Sequence, residues 1–122
     1  MKSDPKPVIS IVDKTRKRIR IHRVTLHLLG DPDYVQLLIN PDSKTIAITK
    51  GDPNDPLALR VYPNSSEKDC FEIRSINLMR SIKMVFPEFV EGNSYRLYGE
   101  MDARNEVAHF KLDSSKRKEV NE

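Results

Sequence analysis

The sequence predicts a mixed α+β domain, rich in antiparallel strands and readable as two β-α-β-β repeats packed into one domain. Three observations carry this. Several segments alternate apolar and polar residues at period two, the pattern of half-buried strands. Two stretches instead space their apolar residues as one face of a helix. Finally, apolar positions recur. Ile21, Val24 and Leu26 match Ile73, Ile76 and Leu78 at an offset of 52, and Val35, Leu37 and Asp42 match Tyr95, Leu97 and Asp102 at an offset of 60. A length of 122 residues suits one domain, or two small repeats sharing a core. We place that domain at 8–112, with halves at about 18–62 and 70–112. Residues 1–7, polar with Pro5 and Pro7, read as a disordered segment, and 113–122 as a frayed polar tail.

In chain order, Val8–Val12 (VISIV) reads as a short edge strand. Arg18–His22 alternates, with Ile19 and Ile21 inward and Arg18, Arg20 and His22 outward. RVTLHLLG then gives one or two helical turns that bury Leu26 with Val24, Leu28 or Leu29. Gly30 closes them in the left-handed conformation, and Pro32 blocks continuation. Tyr34–Asn40 and Lys44–Lys50 form a hairpin about Asn40-Pro41-Asp42-Ser43, a sequence suited to a type I turn. Across it Val35, Leu37 and Ile39 face Ile46 and Ile48. GDPNDP is a loop, Leu57–Tyr62 a strand stopped by Pro63, and Asn64–Asp69 a second loop. A short strand Phe71–Ile73 leads to Ser75, the N-cap of a helix running through Phe86. That helix buries positions 78, 79, 82, 85 and 86 and turns Asn77, Arg80 and Lys83 to solvent; Pro87 ends it. Ser94–Met101 and Glu106–Leu112 make a final hairpin around Asp102–Asn105.

Charge is unevenly spread. The whole chain carries +3, but residues 1–23 carry +6, residues 24–110 carry −4 and residues 111–122 carry +1. The densest block, KTRKRIRIHR from Lys14 to Arg23, holds six Lys/Arg and no acid. Such a block attracts polyanions by steering and counterion release, or serves only as a solvated arm. Because part of it alternates as a strand, its arginines would be ordered and would lose less entropy on binding. No aromatic residue interleaves them, so duplex binding is favoured over a single-strand stacking platform.

The stretch IRIHRVTLHLLGDPDYVQLLINPDSKTIAIT, 31 residues, resembles the AbrB-type swapped-hairpin family of bacterial DNA-binding proteins. Members show a basic strand, a short helix ending in Leu-Gly and a two-stranded apolar hairpin. Here those parts look like Arg18–Ile21, Arg23–Gly30 and Val35–Ile48. Two units in one chain look like the tandem arrangement of MraZ-like members. The chain departs from the family in having His22 where a proline usually enters the helix, and Lys17-Arg18 in place of a glycine-arginine lead. Sliding-clamp subdomains share the order of elements, an analogy of fold alone. The resemblance implies a transcription regulator that contacts duplex phosphates through Lys14, Arg16, Lys17, Arg18, Arg20 and Arg23. Arginine's planar fork suits both phosphate and guanine.

Other chemistry finds little support. His22, His27 and His109 lack metal-ligand spacing and read as structural. Asp31, Asp33, Asp52 and Asp55 lie in proline-containing loops, where turn hydrogen bonding accounts for them. Cys70 lies beside Asp69 and near Glu72, the opposite of the electropositive setting of a reactive thiol. Ser75 and Ser81 lack a nucleophile-elbow context, and four glycines supply no phosphate loop. The expectation is a non-enzyme without metal or cofactor. One cysteine and no apolar run longer than three residues suggest a cytoplasmic setting and no membrane partner. The MKSDPKPV start offers no secretory core. Short strands with edges to cover suggest a homo-oligomer. The competing expectation is an interaction or accessory module whose acidic body meets a protein partner.

Overall fold

A computed structural model describes residues 5–13, 17–61, 70–86, 89–90, 92–112 and 117–120, the last stretch by backbone course alone. Two antiparallel five-stranded sheets share one core. The first orders its strands β10-β7-β1-β2-β6, and comprises β1 (Val8–Val12), β2 (Arg18–His22), β6 (Cys70–Ile73), β7 (Ser94–Tyr98) and β10 (Arg117–Val120). The second runs β5-β3-β4-β9-β8, from β3 (Tyr34–Asn40), β4 (Thr45–Lys50), β5 (Leu59–Arg60), β8 (Glu100–Asp102) and β9 (Val107–Lys111). Helix α1 (Arg23–Leu28) follows β2, and α2 (Ile76–Val85) follows β6. The result is a sheet-rich, antiparallel α+β fold.

The core is built from the alternating positions. Ile9, Ile11, Ile19, Ile21 and Leu97 come from the first sheet, and Val35, Ile46, Ile48, Ala108 and Phe110 from the second. Met79 and Ile82 of α2, with Phe86 at its end, complete it. Phe86, Phe89 and Tyr95 pack together with ring separations of 5.1–5.3 Å. Of the residues expected to face one another across the β3–β4 hairpin, Leu37 pairs with Ile48 and Ile39 with Ile46, while Val35 pairs with Lys50. Its turn is held by Asn40 Oδ1, which accepts from the N–H of Asp42 and of Ser43.

One terminus of each helix is as its sequence indicates. The Gly30 N–H donates to the His27 carbonyl and the Asp31 N–H to the Leu26 carbonyl, with Gly30 at φ +84°, the paired bonds that close α1. The Ser75 side chain caps α2 by accepting from the Leu78 N–H at 3.2 Å. Leu29 is buried beyond α1, and so is Thr25 within it. The Thr25 hydroxyl donates to the Val8 carbonyl and accepts from the Val8 N–H, both at 2.7 Å, which pins α1 to the start of β1.

Several expectations are corrected. β1 is no edge strand: it lies between β7 and β2, and Ile9 through Val12 are buried. A nearly continuous apolar run suits a strand covered on both faces. The strand expected at Leu57–Tyr62 shrinks to Leu59–Arg60, because Asp55 holds the preceding residues in a turn. Its side chain accepts from the Leu57 N–H and its carbonyl from the Ala58 N–H. Leu57 is consequently exposed, and Tyr62 and Pro63 lie outside the described residues.

Ser94–Met101 is two strands, β7 in the first sheet and β8 in the second, divided at Gly99. A Cβ on Gly99 would stand 2.2 Å from the His109 carbonyl oxygen and 2.7 Å from the Phe110 ring, so the crossing point admits no side chain. Within the stretch expected to be a frayed tail, Arg117–Val120 pairs with β7. In the segment expected to be disordered, the Pro7 carbonyl accepts from the Gly99 N–H at 2.9 Å. The loop at Asn64–Asp69 and the helix-ending Pro87 lie outside the described residues.

Candidate nucleic-acid interface

The face of the first sheet that points away from the core is polar and rich in arginine. Period-two alternation puts Ile19 and Ile21 of β2 in the core and sends Arg18, Arg20 and His22 to the other side, as the sequence predicts. Register carries the pattern across neighbouring strands. Arg20 stands opposite Ser10 of β1 and Glu72 of β6, and Ser10 stands opposite Arg96 of β7. Directly opposed residues share a face. One row across the sheet therefore reads Arg96, Ser10, Arg20, Glu72. His22 bonds Ser10 diagonally, Nε2 to Oγ at 2.8 Å.

Glu72 is the centre of this face. The Nε groups of Arg18 and Arg20 lie 3.1 and 3.5 Å from its Oε2, and Arg74 reaches Oε1 at 3.4 Å. Three guanidiniums thus converge on one carboxylate that is 13% exposed. Arg18 and Arg20 keep 19% and 25% of their side-chain surface in solvent, whereas Arg74 keeps 58%. Arg20 also donates to Cys70 Sγ at 3.3 Å, so the cysteine that reads from sequence as surrounded by acids has a guanidinium neighbour.

The remaining expected contact residues are placed differently. Lys14 and Arg16 lie outside the described residues. Lys17 is turned back on Asp13, Nζ to Oδ1 at 2.7 Å, and is half exposed. Arg23 opens α1 and is exposed, with no ion pair among the described residues. The set that sequence groups as one block is therefore divided: Arg18 and Arg20 share the sheet face, Lys17 belongs to a second cluster, and Arg23 to the helix start.

That second cluster surrounds Asp13, whose side chain is fully buried. Besides Lys17 it receives Lys83 Nζ at 3.1 Å and the Gly92 N–H at 2.9 Å, both on Oδ2. Burial alone would raise its pKa. The bonds from Lys17, Gly92 and Lys83 outweigh that and hold the carboxyl below the ordinary aspartate range. Lys83, expected on the solvated face of α2, is instead drawn inward and also lies 5.4 Å from the centre of the Phe89 ring.

Sequence reasoning passed over Glu72, Arg74, Arg96 and Asp13 as members of these sites. The only available signal for Glu72 and Arg96 was their period-two position in segments with alternating core residues; the pairing that brings them to Arg20 is long-range. Among the described residues no group of three metal-ligating side chains occurs. Turn bonding is observed for Asp52 and Asp55, while Asp31 pairs with His27 at 3.0 Å. No family model matches the chain, and no curated protein or solved structure matches it.

Proposed function

We propose that this chain is a non-enzymatic, bacterial-type DNA-binding protein, akin to AbrB- and MraZ-type regulators. In this reading it acts in the cytoplasm and docks on duplex phosphates through β2 and the basic residues that flank it. The observation that carries the reading is the convergence of Arg18, Arg20 and Arg74 on Glu72, with Arg96 in the same row of the sheet. Guanidiniums fixed in this way are ordered before any ligand arrives, so little side-chain entropy is lost when phosphates bind. Glu72 has two roles: it orders the arginines, and it competes with phosphate for them. Lys17, Arg23 and Arg74 are the more exposed cations and would make first contact. Lys14 and Arg16, just before Lys17 in the sequence, complete the proposed set of contact residues. We also take β2-α1-β3-β4 and the later run β6-α2-β7-β8-β9 as two copies of one β-α-β-β plan, the second with its third element divided at Gly99 into β7 and β8, a plan that this family resemblance favours.

A second reading rests on a separate observation. Helix α2 exposes Ile76 and Met84 at 72% and 87%, apolar surface suited to a protein-interaction or accessory module. Fluorescence anisotropy with mixed-sequence duplex DNA across a salt series separates the two. Under the DNA reading each phosphate contact adds roughly −0.9 to the log–log slope, and replacing Arg18, Arg20 and Arg23 by serine abolishes binding. Absence of duplex binding at low salt by the intact chain would end that reading and leave the interaction module.

A further inference from the structure

Each sheet leaves two edges, and every edge strand carries charge, β5 through Arg60 alone. β8 has Glu100 and Asp102, β6 has Glu72, and β10 reads Arg-Lys-Glu-Val. Charged side chains on short strands are the usual protection of an edge. The fourth edge differs. β5 pairs only with Tyr34 and Val35, so β3 runs on past it from Gln36 to Asn40 with no further strand partner among the described residues. This overhang, Gln-Leu-Leu-Ile-Asn, has no charge and no proline, and Leu38 is 49% exposed.

The hydrogen-bonding parity of β3 is fixed by its neighbours. Tyr34 accepts from the Gly51 N–H on the β4 side, and Asp33 accepts from the Val61 N–H on the β5 side. Backbone groups alternate sides along a strand, so Leu37 and Ile39 direct their N–H and C=O toward the open edge. We infer that this edge pairs with the same edge of a second copy of the chain, antiparallel about a two-fold axis at Leu38. Leu37 of each copy then exchanges both backbone bonds with Ile39 of the other. Leu38 meets its own copy in the closer, non-hydrogen-bonded pair, and Gln36 stands opposite Asn40. No like charges meet, because the segment has none. The same two-fold operation on the exposed stripe of α2 would set Arg80, between Ile76 and Met84, against its own copy. A second chain therefore fits β3 better than α2. The inference is independent of the nucleic-acid reading.

Sedimentation of the full chain over a wide concentration range tests it, with Leu38→Lys and Leu38→Glu as variants and circular dichroism as a check on folding. The wild type should dimerise, and each variant alone should weaken the dimer by about tenfold or more, since like charges meet at the axis. An equimolar mixture of the two variants should recover a heterodimer. Hydrogen exchange gives a second readout: the Leu37 and Ile39 amides should be slower at high than at low concentration. A wild type that stays monomeric overturns the inference. So does dimerisation that the variants leave unchanged, or loss in the single variants that mixing does not restore.

Discussion

Thr25 shows how much one hydroxyl can hold. It satisfies both backbone groups of Val8 from within a fully buried position, so replacing it by valine keeps the shape and orphans a partly buried donor and acceptor. We expect Thr25→Val to cost about 1–3 kcal/mol in urea unfolding, the range for buried groups left unsatisfied. Asp13 supplies a pH dependence whose sign follows from its environment. Its carboxyl titrates lower in the folded chain than in the unfolded one. Its contribution is therefore complete above the ordinary aspartate pKa and is lost as pH falls through the folded value. The stability gap between wild type and Asp13→Asn should be open at neutral pH and close below about pH 4. A gap that persists unchanged into acid would show that the carboxylate charge is not what holds Lys17 and Lys83.

Among the elements, β2 with β6 and the β7–β8 crossing matter most. Glu72→Gln removes the acceptor charge for three guanidiniums while leaving their strand pairing in place. We expect it to lower stability by about 1–3 kcal/mol, since half-buried cations lose their partner. If the arginine face binds DNA, the same change should raise affinity for duplex and steepen its salt dependence. Weaker binding by a folded Glu72→Gln would argue that phosphate does not compete for these arginines. At the crossing, Gly99→Ala places a methyl against the His109 carbonyl and the Phe110 ring. Backbone cannot yield as a flexible side chain does, so the cost should be about 3 kcal/mol by thermal or chemical unfolding, the upper part of the overpacking range.

For the molecule as a whole, charge and fold separate into two regions. The polar face of the first sheet gathers arginines from β2 and β7, with Arg74 beside β6, while acidic residues predominate in the sequence from 24 to 110. Under the proposed DNA reading, a basic face on a mildly acidic body would orient the chain toward a polyanion. The open edge of β3 belongs to the other sheet. Dimerisation there would leave the arginine face uncovered and present two copies of it, and the measured salt slope would then depend on protein concentration.

Local pattern was enough for much of the architecture. Period-two alternation placed Ile19, Ile21, Ile46 and Ile48 in the core, Asn40 and Gly30 marked a turn and a helix end, and Ser75 marked a helix start. These features arise from interactions within a few residues, so the sequence carries them directly. It carried no signal for the central place of β1 or the division of the Ser94–Met101 stretch at Gly99, nor for the inward turn of Lys83 to Asp13. The gathering of Arg18, Arg20 and Arg74 on Glu72 was equally hidden. Each of these depends on which strand lies beside which, with partners such as Arg18 and Glu72 separated by 54 residues. By itself the sequence determined most of the elements, most of their buried faces and the location of the basic block. Only the tertiary structure decided which charges are neutralised, because an ion pair depends on distance in space, and long-range strand pairing sets that distance.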